Sequence, residues 1–433
     1  MRKKILTVVL SILLITALLA GCGGNGATGD ANGGEVADGE PIVINIMCSI
    51  ITEESAPFIE EKRDAFMAEN PHVVINHIPS PVNDMIVNIV AMNAADDLPD
   101  AFFMPAEFKP QAHDLGIVAD HDALLGEEFL NSLNARVVEL ARIEGQLMMV
   151  PWHVIPVGLI YRTDWLEEIG MDTIETMQDL RQAAIGFSEG ENQWGFSLIG
   201  LNNGSGQSRF IQFVRAFGIK EVYQDENGQW VSDVLTDEFR AALQLFVDLD
   251  LVDGAVPPGS TETGFAEATA LFGEEKTGLF ISGSNGFGPI LYHNPDLWDV
   301  LGSVPMPRQV RHVSNLQTSG FAITTASEHP EVVAEYLKFI TGPQFNIAFA
   351  EGTGRLPVTN EGLANPLFEE PQFVGFVQAM EYALPTPIFP AYSELLDILG
   401  EAYNTMLGMG ISLDEAMDQV ERRLTVLLAE HND

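Results

Sequence analysis

From residue 41 onward, short apolar runs rich in β-branched residues alternate with amphipathic segments of helical length. Apolar runs of this length predict buried strands, and apolar residues spaced three to four apart predict helices. The opening pattern gives strands at residues 42–47, 73–78 and 98–104, and helices at residues 55–70 and 83–94. Strands joined by helical crossovers predict a parallel sheet covered by helices on both faces, so the chain belongs to the α/β class.

Two further elements are well marked in the second half of the chain. Ser412 and Glu415 have the spacing of a capping box, and apolar residues recur on one face of the segment that follows, up to Leu428. This pattern predicts a C-terminal amphipathic helix. Asn-Gly at residues 227–228, two residues before Trp230, predicts a β-hairpin.

The N-terminus has the anatomy of a bacterial export signal. Basic residues 2–4 precede an apolar run, residues 5–19, that is shorter than the roughly 20 residues of a membrane-spanning helix. The run leads into Leu-Ala-Gly-Cys, which is similar to the lipobox of bacterial lipoproteins. We therefore expect a signal peptide over residues 1–21 and a lipid anchor at Cys22, on the extracytoplasmic face of the cell membrane. An ordinary secretory signal with a chance cysteine is the alternative.

The composition of the chain limits the kinds of molecule that it can bind. Residues 22–40 are rich in Gly, Ala, Asn and Asp, which predicts a flexible tether. The net charge of −41 makes nucleic acid and anionic headgroups poor partners, so the lipid anchor is the one membrane contact we expect. It also argues against a polyanionic ligand, unless a local basic pocket overrules the average. Once Cys22 is lipidated, Cys48 is the remaining cysteine, and no disulfide within the chain is expected.

Four segments resemble one family, the extracellular solute-binding proteins of carbohydrate ATP-binding-cassette importers, the maltose-binding-protein type. Each segment alone is weak, but their order and spacing behind a lipobox are typical of the family. The resemblance extends over essentially all of residues 41–430. The segments are LPD at 98–100 with LGIVAD at 115–120, MVPW at 149–152 with GLIYRTDW at 158–165, FGEEKTGLFISG at 272–283, and GFAI at 320–323 with HPE at 329–331 and YLKFIT at 336–341.

The resemblance implies a two-lobed periplasmic-binding-protein type II fold, with an interlobe ligand cleft and a hinge. It also implies a monomer without catalytic activity, cofactor or metal, which captures a neutral sugar or oligosaccharide and delivers it to transmembrane permease subunits. The expected divisions are residues 41–151 for the first part of lobe 1, 152–302 for the first hinge strand and lobe 2, 303–354 for the second crossing and the rest of lobe 1, and 355–433 for the third crossing and the C-terminal helices of lobe 2.

A sugar site needs aromatic rings for the apolar faces of the sugar and carboxylates or amides for its hydroxyls. Ligands of open α/β sheets bind at the carboxyl ends of the strands. Glu107 matches a family position that bears a sugar-contacting acid, and a solvated loop acid is an equal alternative. Trp152 and His153 lie where the first crossing enters the cleft. We expect Trp152 to stack on a sugar ring, with a plug in the hinge as the alternative, and His153 has no second metal ligand at suitable spacing.

Two loops supply further candidates. Ser284, Asn285 and Phe287 follow a strand with glycines that permit close approach of a ligand. The family often has a tryptophan in this loop, so its absence here leaves the class of sugar open. Asn202 and Ser205 are expected to donate hydrogen bonds to hydroxyls, and a plain Asn-Gly turn is as good an interpretation.

The last two candidates lie in the C-terminal part of the chain. Arg355, at the third crossing, is expected to hold a hydroxyl pair or a carboxylate, or else to lock the hinge through an ion pair. Tyr392, near the start of a helix, is a weaker candidate.

Other functions lack their usual sequence marks. The chain has neither the H-E-x-x-H of a metalloprotease nor the G-x-S-x-G of a serine hydrolase, although its many carboxylates leave a secreted hydrolase open. A repeat-built surface protein is disfavoured because no repeat is visible. The same fold with another solute, such as a sugar acid, a polyol or a phosphate ester, remains the main alternative.

Overall fold

The computed structural model describes residues 40–48, 56–104, 106–188 and 192–432. The signal peptide, Cys22 and almost all of the tether therefore lie outside the described residues. The described strands are β1 Ile42–Cys48, β2 Val73–Pro79, β3 Ala101–Met104, β4 Arg142–Ile143, β5 Gln146–Leu147, β6 Val150–Arg162, β7 Trp194–Phe196, β8 Tyr223–Gln224, β9 Trp230–Val231, β10 Thr277–Gly283, β11 Leu301–Pro305, β12 Ser314–Ile323, β13 Leu356–Pro357 and β14 Ala383–Leu384.

Helices pack on the strands throughout this region. The α-helices are α1 Ala56–Glu69, α2 Val82–Ala94, α3 Lys109–Asp114, α4 His121–Ser132, α5 Ala135–Leu140, α6 Thr163–Glu168, α7 Met177–Gly186, α8 Gly204–Ala216, α9 Asp237–Leu251, α10 Phe265–Gly273, α11 Phe287–His293, α12 Pro330–Ile340, α13 Pro343–Thr353, α14 Asn360–Leu363, α15 Pro371–Glu381, α16 Tyr392–Met409 and α17 Leu413–Glu430. None of the helices in the described residues is long and apolar enough to cross a membrane.

The main sheet is mixed, with strand order β2-β1-β3-β12-β6-β10-β7; β11 and β13 pair with β6, and β14 pairs with β12. The prediction of a parallel sheet is confirmed for the opening unit, because β1 pairs in parallel with both β2 and β3. It is wrong for the strands added later, since β12 pairs antiparallel with both β3 and β6. The α/β class holds for the whole of the described region.

The C-terminal helix and the hairpin follow their sequence signals. In α17, the Ser412 hydroxyl accepts a hydrogen bond from the Glu415 N–H at 3.2 Å, and the Glu415 carboxylate accepts one from the Ser412 N–H at 2.9 Å. This is the predicted capping box. β8 and β9 pair antiparallel around residues 227–228, as the Asn-Gly signal predicts.

Buried side chains form three cores. The first core comprises buried residues of β1–β3, the start of β6, the end of β12 and α12. The second core comprises those of α7–α9, α16 and α17, with parts of β6 and β10. The third core lies mainly among α10, α11 and α15. β6 is buried along nearly its whole length and contributes to all three cores, so the segment between Trp152 and Leu159 passes from the first core to the second.

A buried histidine links α4 to the sheet and makes stability depend on pH. His121 is fully buried; its Nδ1 lies 2.8 Å from the Leu147 carbonyl oxygen, and its Nε2 accepts a hydrogen bond from the Ile323 N–H at 2.9 Å. An imidazole that accepts at one nitrogen is neutral. Burial opposes the charged form and lowers the pKa of His121 from 6.5 to about 4, although the Leu147 carbonyl acts in the opposite direction.

Between these two pKa values the unfolded chain binds the proton that folded His121 does not. The stabilisation that folded, neutral His121 provides is therefore complete above pH 6.5, and it is lost as the pH falls through about 4. We expect this to remove on the order of 3 kcal/mol of unfolding free energy. Urea unfolding followed by circular dichroism across this window measures it. His121→Gln should make the unfolding free energy less dependent on pH in this window, whereas His72→Gln, at an exposed position, should leave that dependence unchanged. If the unfolding free energies of wild type and His121→Gln change equally with pH, His121 is not the group responsible.

Candidate functional site

A polar cavity of about 270 Å³ lies beside β6, at the segment that passes from the first core to the second. Its walls come from five parts of the fold: the middle of β6, the first half of β12, the end of β10 with the turn after it, the first turns of α8, and the start of α10. The lining residues are Ile155, Val157, Gly204, Ser205, Ser208, Arg209, Phe265, Gly283, Asn285, Asn315 and Gln317.

Strand alternation explains two of these walls. Ile155 and Val157 are two residues apart on β6, so they share one face, and Asn315 and Gln317 are related in the same way on β12. Ile155 and Gln317 lie directly opposite each other in the antiparallel register. One strand therefore supplies an apolar wall and its neighbour supplies two amides.

Two glycines allow the turn after β10 to approach the crossing strands. A Cβ atom on Gly283 would lie 2.4 Å from Cγ2 of Ile155 and 2.6 Å from Oδ1 of Asn285. Gly354, at the end of α13, has φ of +69°, and its Cβ would lie 2.4 Å from the Ser284 carbonyl oxygen. Both positions require a residue without a side chain, which fixes where Asn285 enters the cavity.

The amides on the cavity wall are free to bind. Among the described residues, the side chains of Asn285, Asn315 and Gln317 form no hydrogen bond with the protein. Each amide has two donor hydrogens and an acceptor oxygen. The wall therefore offers an alternating set of donors and acceptors to a polar ligand.

Arg209 is the one cationic residue on this wall within the described part of the chain. Its Nε donates to the Ile281 carbonyl at 3.0 Å, and its Nη1 donates to the carbonyl and hydroxyl of Ser205 at 2.9 and 3.1 Å and to the Ser208 hydroxyl at 3.2 Å. The guanidinium also lies 5.0 Å from the ring centroid of Phe265. Burial lowers the pKa of Arg209 to about 10, so the side chain stays charged at neutral pH.

The structure brings two of the sequence candidates into this cavity, Ser205 and Asn285. Ser284 is adjacent but fully buried, and its hydroxyl has no hydrogen-bond partner among the described residues. Glu107 lies in a short 3-10 turn, Ala106–Phe108, and its side chain lies outside what the structure describes.

Trp152, His153 and Arg355 lie together, but they do not line the cavity. Trp152 is 1% exposed in the first core, with its ring centroid 4.6 Å from that of Phe349 and 5.9 Å from that of Phe321. The indole therefore has no open face on which a sugar could stack in this conformation, and its position matches the alternative interpretation as a plug. Arg355 lies 5.7 Å from the Phe349 ring.

His153 is buried beside this aromatic group. Burial lowers its pKa well below the ordinary value, and the nearby Arg355 adds to the shift. No group of three potential metal-binding side chains occurs in the described residues.

The other three candidates have structural contacts. The Asn202 Oδ1 accepts a hydrogen bond from Gln207 at 2.9 Å, and its Nδ2 donates to the Asp397 carbonyl at 3.3 Å, which ties it to α16. Phe287 is buried in the third core. The hydroxyl of Tyr392 donates to Glu221 at 2.9 Å. None of the three lines the cavity, because each side chain is held by packing or by a hydrogen bond elsewhere.

Sequence reasoning missed the residues that define the wall chemistry: Arg209, Ser208, Phe265, Asn315 and Gln317. A signal for some of them was present. Ser205, Ser208 and Arg209 have the i, i+3, i+4 spacing of one helix face, and residues 315 and 317 are polar positions of an alternating strand.

Solved structures of binding proteins share this fold. A sugar-binding protein, MalE, from Xanthomonas citri superposes with a TM-score of 0.76 at 19% identity, covering 90% of this chain and 98% of that one. The cyclic alpha-maltosyl-1,6-maltose binding protein from Arthrobacter globiformis gives a TM-score of 0.73 at 20% identity, over 90% and 99% of the two chains.

Sequence comparison gives the family. A binding protein of Brucella abortus is 22% identical over 366 residues, which are 82% of this chain and 86% of that protein. The model of the family described as bacterial extracellular solute-binding protein matches residues 50–347, more than half of the chain. The chain therefore belongs to the bacterial extracellular solute-binding protein family.

Proposed function

We propose that this protein is the substrate-binding subunit of an ATP-binding-cassette importer, and that it captures a sugar or oligosaccharide in the cavity beside β6. The observation that carries the proposal is the cavity wall, which combines three amides without protein partners with the apolar side chains Ile155 and Phe265. Sugar hydroxyls need donors and acceptors in alternation, and the C–H face of a sugar needs an apolar surface. The sugar-binding structural relatives support the same ligand class.

The wall chemistry favours a binder over a hydrolase. Glycoside hydrolysis commonly needs two carboxyl groups that flank the scissile bond. In the described part of the chain, the cavity lining contains no aspartate, glutamate, histidine or cysteine. Bound sugar is therefore expected to leave chemically unchanged and to pass to the permease subunits.

The division into two lobes is part of this proposal. The first core draws its members from residues 44–152 and 321–349, and the second from residues 157–313 and 389–427. These sets support an N-terminal lobe of residues 41–151 plus 303–354 and a second lobe of residues 152–302 plus 355–433, except that Trp152 belongs to the first core and that Met306 and Val313 belong to the second. Hinge closure at the crossing strands would then enclose the ligand and present the closed form to the permease.

A thermal-shift screen of the purified chain tests the ligand class. Ligand at about 100 times its Kd adds about 2.7 kcal/mol to the unfolding free energy, so binding raises the melting temperature. We expect a shift with one class of mono- or oligosaccharide, and recovery of that glycan unchanged after long incubation. No shift with any glycan, together with a clear shift from a metal ion or a peptide, would overturn the sugar assignment.

We also propose that Cys22 carries the lipid that holds this protein, as a monomer, at the extracytoplasmic face. An anchor raises the effective concentration of a capture protein near its permease. In cells fed radiolabelled palmitate, the wild-type chain should incorporate label and appear in the membrane fraction. Cys22→Ser should lose the label, whereas Cys48→Ser should keep it. Equal labelling of wild type and Cys22→Ser would contradict the anchor.

A further inference from the structure

The described arginines differ in how their charge is balanced. Most of them form an ion pair with a carboxylate: Arg63, Arg136, Arg142, Arg162, Arg181, Arg215, Arg240, Arg308 and Arg423. Arg209, Arg311 and Arg422 form none among the described residues, although the chain has 62 acidic residues and 21 basic ones. Of these three, Arg209 lines the cavity, and in so acidic a protein an arginine on a cavity wall without a carboxylate beside it needs a cause.

The protein holds the guanidinium rigidly but leaves part of it unused. Nε and Nη1 of Arg209 donate to Ile281, Ser205 and Ser208, as described above, and Phe265 and Phe280 lie at 5.0 and 5.4 Å from the guanidinium carbon. Among the described residues, no atom accepts a hydrogen bond from Nη2. Nη2 therefore keeps its hydrogens for a ligand, and a carboxylate accepts short charge-assisted hydrogen bonds from arginine.

The cavity as a whole has the charge expected for an anionic group. Its lining carries one positive charge and, in the described residues, no negative charge, and its other polar groups are amides and hydroxyls. The hydrogen bonds and ring contacts of Arg209 supply no counter-ion, so a neutral sugar would leave its partly buried charge unpaired, which is unfavourable. An anion at Nη2 would remove that penalty. The local site thus opposes the strongly negative average charge of the molecule.

We propose that the ligand is an acidic sugar, a uronic acid or an oligosaccharide that contains one, and that its carboxylate accepts a hydrogen bond from Nη2 of Arg209. This inference rests on the proposed function and specifies its substrate class. The amides of Asn285, Asn315 and Gln317 then bind the hydroxyls of the same ligand. The proposal takes up the sugar acid, which the sequence leaves open as an alternative to a neutral sugar, because a neutral ligand supplies no counter-ion for Arg209.

Calorimetric titration of the full chain with matched glycans tests the proposal. The probes are oligogalacturonates, oligomannuronates and glucuronoxylo-oligosaccharides, each beside its carboxyl-reduced neutral form, with malto-, cello- and xylo-oligosaccharides, glucose 6-phosphate and succinate as further arms. We expect at least one acidic oligosaccharide to bind about tenfold to hundredfold more tightly than its carboxyl-reduced form, the range of a charge-assisted hydrogen bond.

Variants assign the preference to Arg209. Arg209→Gln should bring the affinities for the acidic glycan and its reduced form to about the same value, and Arg209→Lys should keep part of the preference because the positive charge remains. Arg308→Gln, outside the cavity, should behave as wild type. If Arg209→Gln does not fold, the wild-type comparison of acidic and reduced glycans still decides the question.

Each other outcome is decisive. If a neutral glycan binds as tightly as every acidic one, the proposal of an acidic ligand is wrong, but the proposed function as a sugar-importer subunit is retained. If glucose 6-phosphate binds more tightly than any uronate, the anionic group of the ligand is a phosphate and the proposal of a carboxylate is wrong. If succinate alone binds, the site accepts a carboxylate but the ligand is not a sugar. If none of the probes binds, both the acidic ligand and the proposed sugar-importer function are wrong.

Discussion

Replacing Glu221 with glutamine is expected to lower the free energy of unfolding by about 3–5 kcal/mol, because it leaves a buried guanidinium without its counter-ion. Arg215 and Glu221 are each 3% exposed, and Nε of Arg215 donates to the Glu221 carboxylate at 3.0 Å. The hydroxyl of Tyr392 donates to the same carboxylate at 2.9 Å and accepts from Nη2 of Arg215 at 3.2 Å. Urea unfolding monitored by circular dichroism measures the loss.

The control for this prediction is an ion pair of the same chemistry on the surface. Glu175 pairs with Arg308 at 2.7 Å, and both side chains are exposed. Glu175→Gln should change stability by about 1 kcal/mol or less, since solvent screens exposed pairs. A double variant that makes both Arg215 and Glu221 apolar should recover most of the loss. Equal effects of Glu221→Gln and Glu175→Gln would contradict the buried-charge explanation.

The buried network also matters for the candidate site. Arg215 is in the last turn of α8, whereas Ser205, Ser208 and Arg209 are in its first turns and line the cavity. Tyr392 begins α16. The ion pair and the phenol therefore fix the far end of the helix that carries the proposed carboxylate-binding arginine.

Trp152→Ala is the second large effect that we expect, and it concerns stability before affinity. Removing a fully buried indole that packs between Phe321 and Phe349 should lower the unfolding free energy by about 3–5 kcal/mol, through lost burial and the cavity left behind. Trp152→Phe retains a ring in the same space and should lose less. Urea unfolding of both variants measures the effect.

Affinity for the glycan that stabilises the wild type separates the two interpretations of Trp152. If the indole is a core residue, Trp152→Phe should bind that glycan nearly as wild type does. If Trp152→Phe keeps full stability but binds the glycan severalfold more weakly, Trp152 belongs to the ligand site as a stacking ring.

Much of the fold could be predicted because local signals agree with the tertiary structure. The β-branched runs at residues 42–47 and 73–78 are the parallel strands β1 and β2, and Ser412 caps α17 as its spacing indicates. The antiparallel pairing of β12 with β6 could not be predicted in the same way. It joins residues more than 150 positions apart, and no local pattern specifies such a contact.

The candidate site was harder to predict, for a physical reason visible on β6. This strand is buried on both faces, so Trp152 in the core and Ile155 at the cavity have the same apolar character in the sequence. Aromatic residues drew attention because sugars stack on rings, yet Trp152 and Phe287 lie in cores. Arg209 was missed because a lone arginine in a helix usually forms a surface ion pair. Its importance depends on the absence of an acidic neighbour among the described residues.

The proposed site can be tested by a crystal structure of the chain with the glycan that gives the largest thermal shift. Density for the glycan is expected in the cavity beside β6, in hydrogen-bonding contact with Asn285 and Gln317 and with its acidic group at Arg209. Glycan density at any other place on the molecule, with this cavity filled by solvent, would show that the site is wrong.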